Sequence, residues 1–413
     1  MRSAGSSPSK IVLFNRSFHP DTEALGVVLT DLARSLAREF PLTVVCGVPY
    51  GYPRPTWQLV SREVFDNVRV ERVLHTTFHK SDAIGRVANW LSYTAMATAV
   101  GLLQRSRVAI VATDPPLLSA LAVALKRVHG CRLVLICQDL YADVALHVGI
   151  VKHGVLYAGL DALVRRAFAE ADLIVVPSKD MALRVTSKGA DPERVIVIPN
   201  WVDVTSIKPV ARSENSFIRE LGLERCFTLM YAGNMGVAQD FDALLDGLAQ
   251  LSVDAPRWKL VLVGEGVRRK YIERRVADLR IDVNTVFLKP QPRARLSALL
   301  SSASLHVVPL RKGLVGCVAP SKVYGIMSAA RPYLAISDRG CEMAMLAVAG
   351  GFGLWAPGGD SNAVTRCVEW AMNHPAELEL MGQRARSVAV SDYSSTAVLD
   401  RWQVALRAIY HAN

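Results

Sequence analysis

Short apolar runs alternate along the chain with longer stretches in which apolar residues recur at helical spacing. Ile11–Phe14, Leu42–Cys46, Val68–Val73, Val108–Thr113, Leu133–Cys137, Leu173–Val176 and Val195–Ile198 read as strands. Between them, Ala24–Glu39, Leu117–His129 and Gly159–Ala171 read as helices. Continuously apolar strands suit a sheet covered on both faces, because neither side then meets water. Strand–helix alternation implies a parallel, doubly wound α/β sheet.

The pattern then restarts. Beyond Pro199-Asn200-Trp201-Val202-Asp203 lies a polar stretch from Lys208 to Asn215. New strands are expected at Phe227–Ala232, Lys259–Val263, Thr285–Leu288, Leu305–Val308 and Tyr333–Ile336, with helices at Phe241–Leu251, Arg268–Leu279, Arg293–Ser302 and Lys322–Ala329. This predicts two successive α/β domains, 1–205 and 206–394. The last helix, Thr396–Tyr410 within 395–413, is expected to cross back onto the first domain. Ligands of such sheets bind beyond the carboxyl ends of the strands, so a cleft between two facing domains is the expected site.

Composition narrows the class. Of 413 residues 51% are hydrophobic and 21% charged, too apolar for a disordered chain. The longest nearly apolar run, Trp90–Leu103, is 14 residues, short of the ~18–20 that a membrane span needs. Lys and Arg total 48 against 37 Asp and Glu, an excess of eleven that splits six and five between residues 1–200 and 201–413. Neither half is a basic arm, which leaves nucleic acid, an anionic membrane face, phosphorylated small molecules or plain solubility open. Seven scattered cysteines, with no Cys-x-x-Cys, oppose a disulfide framework or a zinc site and fit a reducing cytosol. The polar start MRSAGSSPSK gives no expectation of export.

The candidate chemistry sits at strand ends. Gly233-Asn234-Met235-Gly236 follows a strand and precedes a helix, a place where amides and a helix N-terminus favour a phosphate. A tight turn is the plain alternative. Ala319-Pro320-Ser321-Lys322-Val323-Tyr324 opens a helix with a proline, a potential serine cap and a first-turn lysine. A lysine there is disfavoured by the helix dipole unless an external anion joins it, so a diphosphate suits the site. An exposed surface lysine is the alternative. Gly264-Glu265-Gly266 forms a turn against which a nucleotide base can lie. In the first domain, His19-Pro20-Asp21, Thr113-Asp114-Pro115-Pro116 and Gln138-Asp139-Leu140-Tyr141 converge on one sheet edge. The chain lacks HExxH and GxSxG, and has no Asp-x-Asp pair of the kind that holds a metal-bound nucleotide, which argues against a tightly bound metal or an obvious side-chain nucleophile.

Taken together, these segments resemble a GT-B glycosyltransferase of family 4, the branch building bacterial exopolysaccharide and O-antigen units, as in colanic acid assembly. The likeness runs in order through Phe18–Asp21, Asp114–Pro116, Gln138–Tyr141, Ile198–Asp203, Tyr231–Gly236, Val263–Gly266, Pro320–Tyr324 and Arg331-Pro332. It implies two Rossmann-like doubly wound domains facing a central cleft. The second would bind a nucleotide-sugar, most often a UDP-sugar, and the first the acceptor. It further implies retention of anomeric configuration with no metal and no cofactor. The donor residues would be Gly233, Asn234, Gly236, Gly264, Glu265, Ser321, Lys322 and Glu342. Asp139, with Gln138 in place of the family's histidine, would stand nearest the transferring sugar, and Lys322 would stabilise the leaving diphosphate. His19, Asp114 and Tyr141 fall on the acceptor side.

The chain departs from the family at four further positions. Cys317 and Gly325 stand where many members carry two glutamates eight positions apart, the second of which holds the ribose; Glu342 is the nearest substitute. Asn234 and Gln239 replace the Arg and Lys usual after the glycine loop, leaving phosphate charge to Lys322, aided by Arg311 or Arg268.

Ile84–Arg107 and Val151–Arg166 mix apolar residues with Arg86, Arg105, Arg107, Lys152, His153, Arg165 and Arg166, and carry Trp90, Tyr93 and Tyr157. Either stretch suits a membrane interface; core helices with a basic edge are the alternative. The expectation is a cytoplasmic enzyme, peripheral to the anionic inner face of the cell membrane. It would transfer a sugar to a polyprenyl-diphosphate-linked or other lipid-linked saccharide, with no nucleic-acid partner. Its rivals are a UDP-sugar epimerase of the same fold and a non-catalytic nucleotide-sugar-binding paralogue.

Overall fold

The computed structural model describes residues 10–21, 24–49, 58–78, 83–149, 154–251 and 257–412. The chain divides into two units, one of Met1–Pro199, Cys317–Ala319 and Leu399–Asn413, the other of Asn200–Gly316 and Pro320–Val398.

In the first unit, β1 (Ile11–Phe14), α1 (Ala24–Leu36) and β2 (Leu42–Gly47) lead into a hairpin of β3 (Val60–Phe65) and β4 (Val68–Val73). Next come α2 (Ala83–Leu103), β5 (Val108–Ala112), α3 (Leu118–His129) and β6 (Arg132–Ile136). Then α4 (Tyr141–His147), α5 (Val155–Glu170), β7 (Leu173–Val176), α6 (Lys179–Ser187) and β8 (Val195–Val197) complete the series. The sheet order is β3-β4-β2-β1-β5-β6-β7-β8. The central strands β1, β2, β5 and β7 are buried at every residue, as their unbroken apolar runs require. Val12, Phe14, Val45 and Leu135 pack with Leu118, Leu121 and Leu125 of α3 and Phe168 of α5.

One edge departs from the all-parallel expectation, since β3 pairs antiparallel with β4. The turn between them is Asp66-Asn67, both at positive φ (48° and 66°), the backbone that a two-residue hairpin requires and that Asp and Asn tolerate. β3 is incompletely covered, with Arg62 and Val64 exposed and its other residues half-buried.

The second unit holds α7 (Ser216–Glu220), β9 (Phe227–Ala232), α8 (Phe241–Ala249), β10 (Trp258–Val263), α9 (Arg269–Asp278) and β11 (Thr285–Leu288). These are followed by α10 (Leu296–Ser301), β12 (Leu305–Pro309), α11 (Lys322–Ser328), β13 (Tyr333–Ser337) and α12 (Glu342–Ala349). After them come β14 (Gly353–Pro357), α13 (Ser361–Asn373), α14 (Pro375–Asp392) and α15 (Ser395–His411). The parallel sheet runs β11-β10-β9-β12-β13-β14, the order 3-2-1-4-5-6 of a Rossmann sheet. Its strand order reverses between β9 and β12, so the loops after those two strands bound the crevice where ligands of such sheets bind.

The linker residues are spent on structure. Asp203 accepts from the amides of Thr205 (2.9 Å) and Ser206 (3.0 Å) and from both hydroxyls, and these bonds hold its carboxyl down at about 2. Arg386 of α14 donates to the carbonyls of Val204 and Ile207, each at 3.0 Å, and of Ser328 at 2.7 Å. The residues of α15 from Leu399 onward belong to the first unit: Arg407 forks onto Glu39 at 2.6 and 2.8 Å, and Tyr410 packs on Phe40 at 5.0 Å.

Candidate active site

At the crevice of the second sheet two glycine turns lie backbone to backbone. The Met235 amide donates to the Glu265 carbonyl (2.8 Å), the Gly233 amide to Val263 (2.9 Å) and the Arg268 amide to Met235 (3.0 Å). A Cβ on Gly264 would stand 2.0 Å from the Gly233 carbonyl oxygen, and one on Gly266 2.3 Å from that of Met235. Both glycines hold positive φ, 136° and 156°, so nothing larger fits. Gln239 closes the first turn by accepting from the Gly236 amide at 2.9 Å. Asn234 and Glu265 are exposed at the tips of the two turns.

Lys322, the first residue of α11, reaches this place. Its Nζ lies 3.8 Å from the centroid of Tyr231 on β9, and 3.0 Å from where a Cβ on Gly233 would be. Tyr231 in turn donates to the Asn234 carbonyl at 2.5 Å and meets Phe241 edge-on at 4.8 Å. Burial pushes the Lys322 ammonium down to about 7, and among the described residues no carboxylate opposes it. A half-buried cation on an aromatic ring at a glycine turn, without a counter-ion among the described residues, is a site for an anion.

Ser321 does not cap the helix as expected. Its backbone is already helical (φ −65°, ψ −16°), and its exposed hydroxyl makes no capping bond. A capping side chain needs an extended backbone to reach the next amides. Arg268 is committed elsewhere, to Asp242 at 3.0 Å and the Gln239 carbonyl at 3.2 Å. Arg311 is exposed and holds the Ala238 carbonyl through its amide (2.8 Å). Glu342 opens α12 after β13, half-buried, while Asp338 between them accepts from the Gly313 amide at 2.7 Å and ties the loop after β12 to that after β13. Gly325 faces Leu300 and Ile207, whose methyls lie 3.5 and 3.8 Å from a Cβ placed there.

In the first unit, β1, β5 and β6 are neighbours, so His19, Asp114 and Gln138-Asp139 succeed one another along one sheet edge. His19 stacks on Phe65 (3.9 Å, 16°), its amide donates to Thr30 Oγ1 (3.1 Å), and its carbonyl accepts from buried Arg72 (2.7 Å). Burial, then Arg34 and Arg72, lower its imidazole pKa. Asp139 lines a small cavity with Thr113, Tyr141, Asp143, Asp161 and Lys188. Burial first, then the Asp114 carboxylate, raise its carboxyl to about 7. Its backbone is pinned by a bridge to Val318 and by the Leu140 amide on the Cys317 carbonyl at 2.9 Å. Tyr141 tilts against Trp90 at 6.3 Å. Among the described residues, no three His, Cys, Asp or Glu side chains group to hold a metal ion.

Three supporting residues escaped the sequence reading. Tyr231 lies inside an apolar run and reads as core. Arg72 and Phe65 belong to the hairpin, whose Asp-Asn turn was the available signal.

Two parallel-sheet units, the second with paired glycine turns and, among the described residues, a lysine without a counter-ion at its crevice, are the parts of a GT-B fold with an anion site. The profile described as "Glycosyl transferase 4-like domain" matches residues 24–201, and "Glycosyl transferases group 1" matches 214–388. The chain belongs to the family 4 glycosyltransferases of GT-B fold and is a transferase enzyme. It is 26% identical over 326 residues to "Probable glycosyltransferase WbjE" of Pseudomonas aeruginosa, which covers 77% of this chain and 79% of that one. Sucrose-phosphate synthase of Thermosynechococcus elongatus shares the fold at TM-score 0.76 and 16% identity, over 98% of this chain and 100% of that one. Anabaena HepE, crystallised with UDP-glucose, does so at TM-score 0.71 and 14% identity, over 97% and 99%.

Proposed function

We propose that the second unit binds a nucleotide-sugar, in the first instance a UDP-sugar, and that the enzyme transfers the sugar to a lipid-linked saccharide during assembly of a surface polysaccharide. The observation that carries the donor half is Lys322, a cation with no counter-ion among the described residues, resting on Tyr231 beside two glycine turns. HepE, of the same fold, binds UDP-glucose. In the reaction the anomeric C–O bond to the diphosphate breaks and a C–O bond to the acceptor forms on the same face of the sugar. The acceptor hydroxyl proton leaves with the diphosphate. Charge grows on the diphosphate in the transition state, where the Lys322 ammonium and the loop amides oppose it without a metal. Asp139, its carboxyl at about 7, is suited to hold a proton of its own beside the transferring sugar.

The acceptor half is supported by α2. Ile84, Val87, Leu91, Ala95, Ala99 and Leu103 are exposed along one stripe, Ile84 at 83% and Leu103 at 86%. No charged residue occurs from Val87 to Leu103, and Arg86 and Arg105 flank the stripe. Such a stripe suits an interface with anionic headgroups at its ends. Among the described residues no helix is long and apolar enough to cross a membrane. Tyr93, expected to be interfacial, is fully buried, its hydroxyl on the Val45 carbonyl at 2.9 Å. The other candidate stretch does not share this character: Arg165 and Arg166 of α5 pair with Asp161 and Glu170, both at 2.5 Å, and Lys152 and His153 lie outside the described residues.

The test is transfer of label from a panel of UDP- and GDP-sugars to a polyprenyl-diphosphate-linked saccharide in anionic vesicles. Label in the lipid fraction with release of a nucleoside diphosphate is expected. Conversion of the sugar-nucleotide without acceptor, or binding without turnover, would replace this reading by the epimerase or the non-catalytic one.

A further inference from the structure

Beneath Asp139 lies an ion cluster to which the reaction assigns no part. Lys188, just past α6, and Asp143, on α4, keep only 5% and 4% of their side chains exposed. Lys188 Nζ donates to Asp143 Oδ2 at 2.9 Å and also to Asp161 of α5. Arg184 of α6 (3.3 Å) and Tyr157 of α5 (3.5 Å) both donate to Asp143 Oδ1. Arg165 closes the ring, giving one bond to Asp161 (2.5 Å) and one to the Lys188 carbonyl (3.0 Å). Burial opposes the Lys188 charge, yet its bonds to Asp161 and Asp143 hold its pKa above the usual value. Asp143, Asp161 and Lys188 line the same cavity as Asp139.

We propose that the Asp143–Lys188–Asp161 cluster is the positioning device of the Gln138-Asp139 loop, clamping α4 to α5 and α6 so that Asp139 and Tyr141 keep their places. The proposal rests on the reading that Asp139 works at the transferring sugar. The seven-residue α4 begins two residues after Asp139, and its N-cap, Leu140, offers no side-chain bond. So short a helix has little stability of its own, and its tethers set its position. Two such tethers are the Leu140 amide on the Cys317 carbonyl before the helix and Asp143 within it. Removing one member of a buried pair leaves its partner charged and unmatched, so the clamp opens rather than relaxes. The groups around Asp139 are Asp114 after β5, the buried thiols Cys137 and Cys317, and Asp143. Removing the Lys188 charge leaves Asp143 with Arg184 and Asp161 with Arg165, one positive charge fewer beside them.

The experiment compares the full chain with Lys188→Met, Asp143→Asn, Lys188→Arg and Asp139→Asn. Amide hydrogen exchange is read along the chain, the Asp139 carboxyl is titrated by carbon NMR, and turnover is followed with whichever donor the panel identifies. Lys188→Met and Asp143→Asn should speed exchange of residues 139–147 by about tenfold or more and leave the remaining sheet unchanged. Lys188→Met should also move the Asp139 midpoint upward and lower kcat without changing KM for the donor, while Lys188→Arg restores the wild-type values. Exchange that is unchanged, or that speeds evenly across the first unit, overturns the clamp. Full kcat in Asp139→Asn removes the reading of Asp139 itself, and the exchange data still decide the clamp.

Discussion

Asp139 titrates at about 7 in the folded chain, against an ordinary aspartate value near ~4 once unfolded. Between these values the folded state holds a proton that the unfolded chain has released. The stability this gives is full below the unfolded value and lost as pH rises through about 7. Asp139→Asn should therefore raise the melting temperature at about pH 8 and leave it nearly unchanged at about pH 4, read by calorimetry at both. Lys322 has the opposite sign: its folded value, about 7, lies below its unfolded one, so stability grows as pH rises through that window. Gly264→Ala would force a Cβ to within 2.0 Å of the Gly233 carbonyl. It should cost about 3 kcal/mol or more in a urea melt that follows the second unit. The glycines and Lys322 were legible as residues because their types are unusual at their positions. The environment of Lys322 was not, because nothing in an apolar run marks Tyr231 as its platform. Ser321 shows the same limit, since a serine before a helix is a cap only if its backbone is extended.

Among the elements, strands buried on both faces were the legible ones, because an unbroken apolar run of that length has few other uses. β1, β7 and β9 have the bounds that their runs predict, as do β4, whose valines alternate with Arg69 and Glu71, and β11, which is half-buried. β3 escaped because Ser61, Arg62 and Glu63 break its apolar run, and β14 because Gly353 and Pro357 bound a run of only three residues. α4 escaped because seven residues give too little periodicity to read. In α2 the apolar stripe was visible as composition, but which residues it exposes depends on the helix's buried face, which includes Tyr93 and Ala97. Leu91→Asp should lower binding of the chain to vesicles of anionic phospholipid by about tenfold, measured by co-sedimentation, and leave the melting temperature unchanged. Equal binding by the variant would remove α2 from the interface.

For the whole molecule, the excess of eleven positive charges divides almost evenly along the chain and at first left several partners open. The order of the second sheet narrows the choice, because it sets the glycine turns and Lys322 at the crevice between β9 and β12. With Lys322 and loop amides opposing the diphosphate charge, transfer should proceed undiminished in excess EDTA. A loss of transfer that magnesium restores would contradict that account. The central claim is that Lys322 waits for the donor's diphosphate. It is tested most directly by calorimetric titration of UDP into the wild-type chain and into Lys322→Ala, at about pH 6 and about pH 8. Binding should weaken as pH rises through about 7 in the wild type, as the lysine must be recharged, and in the variant the affinity should be at least about tenfold lower and without that pH dependence. Equal affinity in the two proteins at both pH values would contradict it.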